Sequence, residues 1–359
     1  MHALNNISRI QIKQETLMVL LELYEAKGKI FYYDDLFSND LNSLLNKTLE
    51  EDVKSIARVF GLKLTDARIS FCSRKDFQPK NNDEQLLLNL KNVIELVHKK
   101  SNDFELISNE IYNLGKRITK NISNIKYKKT QVIDEGFLEK NSSTLDVLDN
   151  LIKLYEDLTK TKTYEQLILI TNFYVDFINL EIFDKHNREI GLLVLYSLIF
   201  KEFPNFKYVS FFKYFNENLE LFNYSLDLAS YNWHSKFPQT DNLNEVIYKI
   251  ISSSLKEVDD FSYEFEFQTR LNKTDSIENT ILKFSKDFSK DDIRKIHPTI
   301  SNSTINRTLF KLRDEGKIRA IGTGRSAKWQ IIIDNKDFLP LTIFDNFNWQ
   351  TNWSVFFFL

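Results

Sequence analysis

The hydrophobic positions along this 359-residue chain recur at helical spacing for most of its length. Apolar residues three and four positions apart mark one face of an α-helix, and Ser, Asp or Asn just before such a run can cap its first turn. The pattern predicts amphipathic helices over 13–27, 47–60, 83–98, 103–121, 143–159, 164–180, 187–202, 209–228 and 242–258. We therefore expect a mainly α protein.

Two stretches depart from the helical pattern. Residues 126–133 are rich in lysine and compatible with a strand, and a turn at 134–136 follows them, which predicts a short hairpin between helices. Residues 259–276 are polar and aromatic without clean periodicity. We interpret this second stretch as a linker between two domains.

The chain after the linker has the pattern of a small separate unit. Helices are predicted over 277–288, 290–296 and 302–315, and strands over 317–321 and 328–333. Ser289 is the N-cap of the second helix, and Gly316 ends the third because glycine tolerates a positive φ. This order of helix, turn, helix and two-stranded wing resembles a winged helix-turn-helix domain.

Composition favours a globular protein in a reducing compartment. Hydrophobic residues make up 42% of the chain and charged residues 27%, as in ordinary globular proteins. The single cysteine, Cys72, excludes an internal disulfide and a thiolate-rich zinc site, and the five histidines show no metal-ligand spacing. No apolar run approaches the roughly 20 residues of a membrane span, and no signal-peptide pattern opens the chain. We expect a cytoplasmic protein with no membrane partner.

The segment Leu180-Glu-Ile-Phe-Asp-Lys-His-Asn-Arg-Glu-Ile-Gly191 is the most informative motif and lies between two apolar helices. It resembles the signature of the Fic family, His-Pro-Phe-x-Asp/Glu-Gly-Asn-Gly-Arg-x-x-Arg. Aligned without gaps, Asp184 takes the acidic position and Arg188 that of the first arginine. Leu180 replaces the histidine, and Gly191 replaces the second arginine.

These replacements bear on the chemistry that the resemblance implies. In working Fic enzymes the histidine is a general base, the acidic residue holds Mg²⁺, and the Gly-Asn-Gly backbone with the next helix N-terminus binds phosphates. Leu180 cannot accept a proton, and loss of a positioned base costs about 10² to 10⁴ in rate. Lys185, His186 and Asn187 hinder a tight anion nest, which depends on glycines. The resemblance thus implies a degenerate catalytic loop, no certain cofactor, and a regulatory or interaction role.

Two alternatives would keep the chain an enzyme. A one-residue deletion aligns Phe183, Asn187 and Arg188 with the motif and puts Glu181 at the histidine position. A carboxylate there could act as base if burial raised its pKa. His186 is the other substitute base. Either would make the chain a protein AMP-transferase that uses ATP and Mg²⁺.

In that case Asp184, Asn187 and Arg188 would contact the nucleotide, and Asp184 would be the metal ligand. Asp184 and Arg188 stand four residues apart, which also fits a simple ion pair or an N-cap. The sequence leaves both interpretations of Asp184 open.

Tyr127, Lys128 and Val132 belong to a stretch, 127–133, that resembles the Fic flap. The flap is a hairpin that lays an extended segment of a target over the active site by strand addition. The resemblance therefore implies a target protein as a partner at this hairpin.

The resemblance covers most of the chain and implies its division. It gives an N-terminal helical region at 1–80, a Fic-like core at 81–258, the linker at 259–276, the winged helix-turn-helix domain at 277–335 and an aromatic tail at 336–359. The expected fold is a Fic-like helical bundle with a short β-hairpin flap, joined to a winged helix-turn-helix domain.

Charge is unevenly distributed near the end of the chain. Between Lys283 and Lys328 twelve basic residues face five acidic ones, a surplus of seven in a chain of net charge −2, which favours a DNA partner. We expect base contacts from the first half of the third helix and backbone contacts from the wing. The predicted DNA-binding residues are Asn302, Ser303, Thr304, Asn306, Arg307, Arg325 and Lys328. The alternative is protein contact or dimerisation; tight DNA binding would itself need a homodimer, since one recognition helix buries little area.

Overall fold

The computed structural model describes residues 1–72, 77–100, 104–129, 143–270, 273–284, 287–298, 300–322 and 327–332, without the side chains of 267–270, 273 and 274. The chain divides into two compact units, the first ending at Glu266 and the second beginning at Phe267. Helices dominate the described residues, which confirms the predicted mainly α class.

The regular elements described in the first unit are all helices. Its helices are α1 (His2–Asn5), α2 (Gln14–Gly28), α3 (Ile30–Leu36), α4 (Leu41–Val59), α5 (Asp66–Cys72), α6 (Asn82–Lys100), α7 (Ser108–Ile118), α8 (Thr144–Thr161), α9 (Gln166–Leu180), α10 (Asn187–Glu202), α11 (Phe211–Glu217), α12 (Leu219–Tyr231) and α13 (Asp241–Arg270). The last of these helices continues past the unit boundary at Glu266. Two 3₁₀ turns, Ile7–Arg9 and Pro204–Lys207, precede α2 and α11.

Helices α9 and α10 form the centre of the first unit. Most side chains of both helices are buried on every side, as expected for helices whose sequence is apolar all round. Helices α1, α8 and α12 pack on α9, and α7 packs on α10. The α9–α10 connection, which carries the Leu180 motif, is therefore held between elements of the core.

A buried polar cluster fixes α4 against its neighbours. Asp52 is fully buried and accepts hydrogen bonds from Ser210 Oγ at 2.6 Å and from the Phe212 backbone N–H at 3.3 Å. His98 Nε2 lies 3.3 Å from the other carboxylate oxygen and 2.7 Å from the Tyr196 hydroxyl. Burial, with the nearby Asp52 charge, raises the pKa of Tyr196 well above its usual value. The cluster thus ties α4, α6, α10 and the start of α11 together.

One prediction about this unit needs correction. The single helix predicted over 209–228 is two helices that meet at Asn218, whose side chain bonds back to the Tyr214 carbonyl and competes with helix continuation. The boundary between the two units, after Glu266, falls within the linker predicted over 259–276, and this segment is helical up to Arg270 and again from Lys273. Phe261 and Phe265, four residues apart, pack on the Phe37 ring at centroid distances of 5.2 and 5.1 Å, which explains why the helix continues.

The second unit combines three helices with a small sheet. Its elements are α14 (Lys273–Leu282), β1 (Phe288–Ser289), α15 (Lys290–Ile296), α16 (Asn302–Asp314), β2 (Ile318–Ile321) and β3 (Lys328–Ile331). The strands are antiparallel in the order β1-β3-β2, with Trp329 opposite both Phe288 and Ala320. Trp329 and Phe288 close the apolar core of this unit together with Ile293 and Leu309.

Local signals in the second unit are mostly confirmed. Ser289 forms a capping box with Asp292, and Gly316 has a φ of 73° after α16, as predicted. The helix predicted over 277–288 ends instead at Leu282, because Phe288 belongs to β1 and pairs with β3. The predicted division 1–80, 81–258, 277–335 and the tail 336–359 stays a prediction, and the tail lies outside the described residues.

Candidate functional site

The α9–α10 loop comprises residues 181–186. Glu181 ends α9 with φ 43° and ψ 56°, and His186 precedes α10 with φ 61° and ψ 21°. Left-handed backbone at residues other than glycine costs about 1 to 2 kcal/mol each. Packing and hydrogen bonds must therefore hold the loop in this shape.

The apolar side of the loop is buried. Leu180, at the position that the resemblance gives to a catalytic histidine, is 3% exposed at the end of α9. Ile182 and Phe183 are fully buried, and the Phe183 ring lies against Phe177 at a centroid distance of 6.5 Å. Leu180 therefore serves as a core residue and has no proton to exchange.

Two residues predicted to contact a nucleotide form hydrogen bonds within the chain. Asn187 accepts a hydrogen bond from the Phe183 N–H at 2.9 Å and donates one to the Phe183 carbonyl at 2.7 Å. Asp184 accepts a hydrogen bond from the Lys126 N–H at 3.0 Å. Arg188, the third of these residues, is exposed.

A carboxylate of the chain lies at the N-terminus of α10. Glu189, in the first turn, accepts from His186 Nδ1 at 3.1 Å. Burial acts to raise the pKa of Glu189, but the His186 hydrogen bond, the Glu189 backbone N–H and the charges of His186 and Arg188 together lower it. A helix N-terminus favours an anion, and here Glu189 provides one internally.

The predicted flap begins beside the loop. Tyr127 and Phe183 form an isolated antiparallel bridge, with the Lys128 N–H donating to the Ile182 carbonyl at 3.1 Å and the Asp184 N–H to the Lys126 carbonyl at 3.0 Å. The Lys128 ammonium also pairs with Glu181, whose side chain is 61% exposed. The remaining flap residue, Val132, lies outside the described residues.

Three aromatic rings line the junction of flap and loop. Tyr112 of α7 stacks on Tyr127 at 5.1 Å with an interplanar angle of 17°, and Tyr127 stacks on Phe183 at 5.3 Å. The Lys116 ammonium lies 4.5 Å from the centre of the Tyr112 ring. The loop and the start of the flap thus form one packed layer.

Gly191 lies where α9 and α10 approach each other closely. A Cβ atom added at Gly191 would lie 2.7 Å from Ile178 Cδ1 and 3.1 Å from Phe177 Cδ1. Phe177 is fully buried, so its ring has little room to move. A side chain at the position that the resemblance gives to the second arginine would require the Ile178 and Phe177 side chains to move.

Glu189 and Tyr112 lie beside this site and were not predicted from the sequence. The spacing of His186 and Glu189, three residues apart at the start of a helix, is a signal that could have found the first. Nothing local points to Tyr112, which precedes Tyr127 by 15 positions. Among the described residues no group of three or more His, Cys, Asp or Glu side chains could hold a metal ion. No described helix is long and apolar enough to cross a membrane.

The residues predicted to bind DNA lie in the second unit. Asn302, Ser303, Thr304, Asn306 and Arg307 occupy the first half of α16, after Ser301, which caps the helix. Arg307 and Lys328 are exposed, and Arg325 lies outside the described residues.

Much of the predicted basic surplus has acidic neighbours. Lys311 and Lys317 both contact Glu278 and Glu315, at distances between 2.5 and 3.7 Å. Glu278 lies before Lys283, so the acidic residues counted between Lys283 and Lys328 do not include it. The effective positive charge of this unit is therefore smaller than the sequence count.

Comparison with protein-family models and with curated proteins finds no match. Among solved structures, the chain is similar to a Fic family protein from Desulfovibrio desulfuricans G20, with a TM-score of 0.53, 9% identity, and coverage of 90% of this chain and 98% of that one. It is also similar to a Fic domain containing signaling protein from Bacteroides thetaiotaomicron VPI-5482, with a TM-score of 0.48, 14% identity, and coverage of 69% and 97%. The first likeness spans nearly all of both chains, and on it the protein has the fold of Fic proteins.

Proposed function

We propose that this Fic-fold protein is non-catalytic and acts in the cytoplasm as a regulatory protein. The observation that carries the proposal is the carboxylate of Glu189 at the N-terminus of α10, with His186 bonded to it at 3.1 Å. In the family that the motif resembles, this helix end receives the phosphates of ATP. An internal anion there repels a phosphate and also uses the Glu189 backbone N–H, one of the donors at this helix end.

Two further observations support the loss of catalysis. Leu180 is a buried apolar residue where a base is required, and Asn187 uses both groups of its amide on Phe183. An arginine at position 191 would require the Ile178 and Phe177 side chains to move. Base, phosphate site and arginine would all have to be restored before AMP transfer could occur.

Incubation of the full chain with Mg²⁺ and ATP labelled at the α-phosphate tests this proposal. We expect no label on the protein, and none after Leu180→His, because a new base leaves the phosphate site filled. Glu189→Gln should strengthen binding of a fluorescent ATP analogue, whereas Glu220→Gln, a control in the first turn of α12, should not. Robust labelling of the unchanged protein would overturn the proposal.

A second candidate function is an AMP-transferase that uses His186 as its base. The specific observation in its favour is the His186–Glu189 pair, because a carboxylate on Nδ1 leaves Nε2 able to accept a proton. Loss of labelling in His186→Ala, after labelling of the unchanged protein, would identify this base. Loss in Glu181→Gln would identify Glu181 instead, although its carboxylate is exposed and paired with Lys128.

The start of the flap supports a target-binding role that does not require catalysis. The Lys126 carbonyl and the Lys128 N–H both bond to the loop. Because backbone groups alternate in direction along a strand, the N–H and carbonyl of Tyr127 point away from the loop. This outer edge is suited to adding an extended segment of a target protein.

We further propose that the second unit is a winged helix-turn-helix domain that binds DNA. Helices α15 and α16 joined by a short turn, followed by β2 and β3, support this assignment. The exposed side chain of Arg307 is suited to a base edge, and Lys328 to the phosphate backbone.

Fluorescence anisotropy of the full chain with mixed duplexes tests the DNA proposal. If about four to six phosphate contacts form, the slope of log K against log[salt] should be roughly −4 to −5. Arg307→Ala should relax sequence preference, whereas Arg313→Ala should have little effect because Asp314 already pairs with Arg313 at 2.7 Å. Absence of binding at low salt would leave protein contact or dimerisation as the role of this unit.

A further inference from the structure

Helix α12 carries a line of apolar side chains on its outer face. Leu221 is 45% exposed, Tyr224 61% and Tyr231 83%, and Leu228 among them is half-buried. These four residues are three, four and three positions apart, a spacing that puts side chains in one stripe along a helix. Apolar side chains that are exposed in a continuous stripe, rather than singly, mark an interaction surface.

The inner face of α12 fixes the helix to the core. The Phe222 ring lies 4.5 Å from the Phe215 ring and 5.8 Å from the Tyr174 ring, measured between centroids. Near the end of the helix, the Ser230 hydroxyl accepts a hydrogen bond from Asn179 Nδ2 at 3.0 Å. A helix held at both ends presents its outer face already ordered, so a partner would lose little free energy in ordering it.

Acidic side chains lie along one edge of this stripe. Glu220 and Asp227 directly precede Leu221 and Leu228, and both are exposed. Neither carboxylate forms an ion pair or a hydrogen bond with the side chain of another described residue. The helix carries no lysine or arginine. This edge of α12 is therefore negative.

The charges oppose a second copy of this chain as the partner. When two helices pack through stripes of this spacing, the edge with Glu220 and Asp227 faces either the same edge of its copy or the opposite edge, which carries Asn218 and Ser225. An antiparallel pair would bring like charges together, and a parallel pair would offer the carboxylates no cation.

We propose that the outer face of α12 binds a basic amphipathic helix of another protein. The apolar side chains of that helix would cover the stripe, and its lysine or arginine side chains would lie against Glu220 and Asp227. Tyr224 and Tyr231 suit such a contact, because tyrosine offers a large rigid ring and a hydroxyl that can bond to the partner. This surface does not depend on the roles proposed for the α9–α10 loop, the flap or the second unit.

Fluorescence anisotropy of the full chain with a labelled synthetic peptide tests the surface. The probe is a helix of three heptads with leucine at the first and fourth positions and lysine at the fifth and seventh; the matched control peptide has glutamate in place of each lysine. Like charges keep each peptide from pairing with itself. We expect the lysine peptide to bind, and the glutamate peptide to bind at least about tenfold more weakly. No binding of the lysine peptide, as when a second copy or another part of the chain covers the face, would overturn the proposal, and so would equal binding of the two peptides.

Reversal of charge on the chain locates the site. Glu220→Lys combined with Asp227→Lys should exchange the preference, so that the glutamate peptide binds better than the lysine peptide. The matched control reverses Glu22 and Glu25, two exposed acidic residues of α2, a helix that also exposes apolar side chains. This control should keep the preference for the lysine peptide.

Tyr224→Ala tests the apolar stripe itself. Loss of the ring should weaken binding of the lysine peptide about tenfold, whereas Leu21→Ala, at a position of α2 that is 55% exposed, should leave it unchanged. Both side chains are exposed, so neither substitution should disturb the fold. An unchanged preference after charge reversal on α12, or unchanged binding in Tyr224→Ala, would contradict the assignment.

Discussion

Glu165 lies at the N-terminus of α9, where its carboxylate oxygens accept hydrogen bonds from the N–H groups of Leu167 at 2.9 Å and Ile168 at 2.8 Å. The Tyr24 hydroxyl of α2 donates to the same carboxylate at 2.6 Å. Burial raises the pKa of Glu165 and outweighs the lowering by these hydrogen bonds. The folded chain therefore holds a proton on Glu165 more readily than the unfolded chain does.

This shift predicts how Glu165→Gln changes stability with pH. A raised carboxyl pKa contributes stability that is present below the unfolded value of about 4.3 and lost as pH rises through the folded value. Glutamine does not titrate, so the stability of Glu165→Gln should rise relative to the unchanged protein as pH increases through that range. Urea unfolding at a series of pH values measures the difference; the exposed Glu50→Gln is the control. A difference independent of pH would contradict the prediction.

Some features of single residues could be predicted from the sequence and others could not. The Ser289 cap and the positive φ of Gly316 were predictable because each depends on residues within a few positions of it. The Asp52 cluster was not predicted, because Ser210 lies 158 positions from Asp52. Periodicity tells which face of a helix is buried, but it does not tell which distant group a buried carboxylate will meet.

At the scale of elements, the segment 126–128 pairs with the loop segment 182–184 through two backbone hydrogen bonds. Because the Lys128 N–H donates to the Ile182 carbonyl at 3.1 Å, the pairing depends on the backbone at position 128. The Lys128 side chain contributes only a half-exposed ion pair with Glu181, and such pairs stabilise little.

Lys128→Pro should therefore be far more disruptive than Lys128→Ala. Proline removes the N–H and leaves the buried Ile182 carbonyl without its partner, at a cost of about 1 to 3 kcal/mol. We expect faster hydrogen exchange of the Asp184 amide, which bonds to the Lys126 carbonyl, in Lys128→Pro alone. Equal exchange of this amide in both variants would show that the side chain holds the pairing.

Prediction of helices succeeded where apolar residues recur without interruption at helical spacing. Residues 187–202 were predicted as a helix and form α10 with the same bounds. The helix over 259–266 was not predicted, because its aromatic residues are separated by acidic ones, and only the position of Phe37 shows that Phe261 and Phe265 share a face. The pairing of 126–128 with the loop also had no sequence signal, since it joins residues far apart in the chain.

At the scale of the whole molecule, each unit has its own apolar core. Ile94 is fully buried in the core of the first unit, and Ile293 in that of the second. Each core could supply the cooperativity of its own unit, since a domain unfolds as a unit when its apolar contacts are shared internally.

We predict that mutations in one core leave the other unit protected. Ile94→Ala and Ile293→Ala each remove the same atoms and should each cost about 2 to 5 kcal/mol in the unit concerned. Hydrogen exchange with mass spectrometry should show faster exchange in α9 for Ile94→Ala and in α16 for Ile293→Ala. Faster exchange of both helices in either variant would mean that the units unfold as one.

The close approach of α9 and α10 at Gly191 makes a missing arginine hard to regain. A Cβ atom there would meet Ile178 and Phe177, so Gly191→Arg by itself requires both side chains to move within a packed core. Smaller side chains at 177 and 178 would make room, and each would leave a cavity until the arginine arrived. Several substitutions, each unfavourable by itself, therefore separate this chain from one with an arginine at position 191.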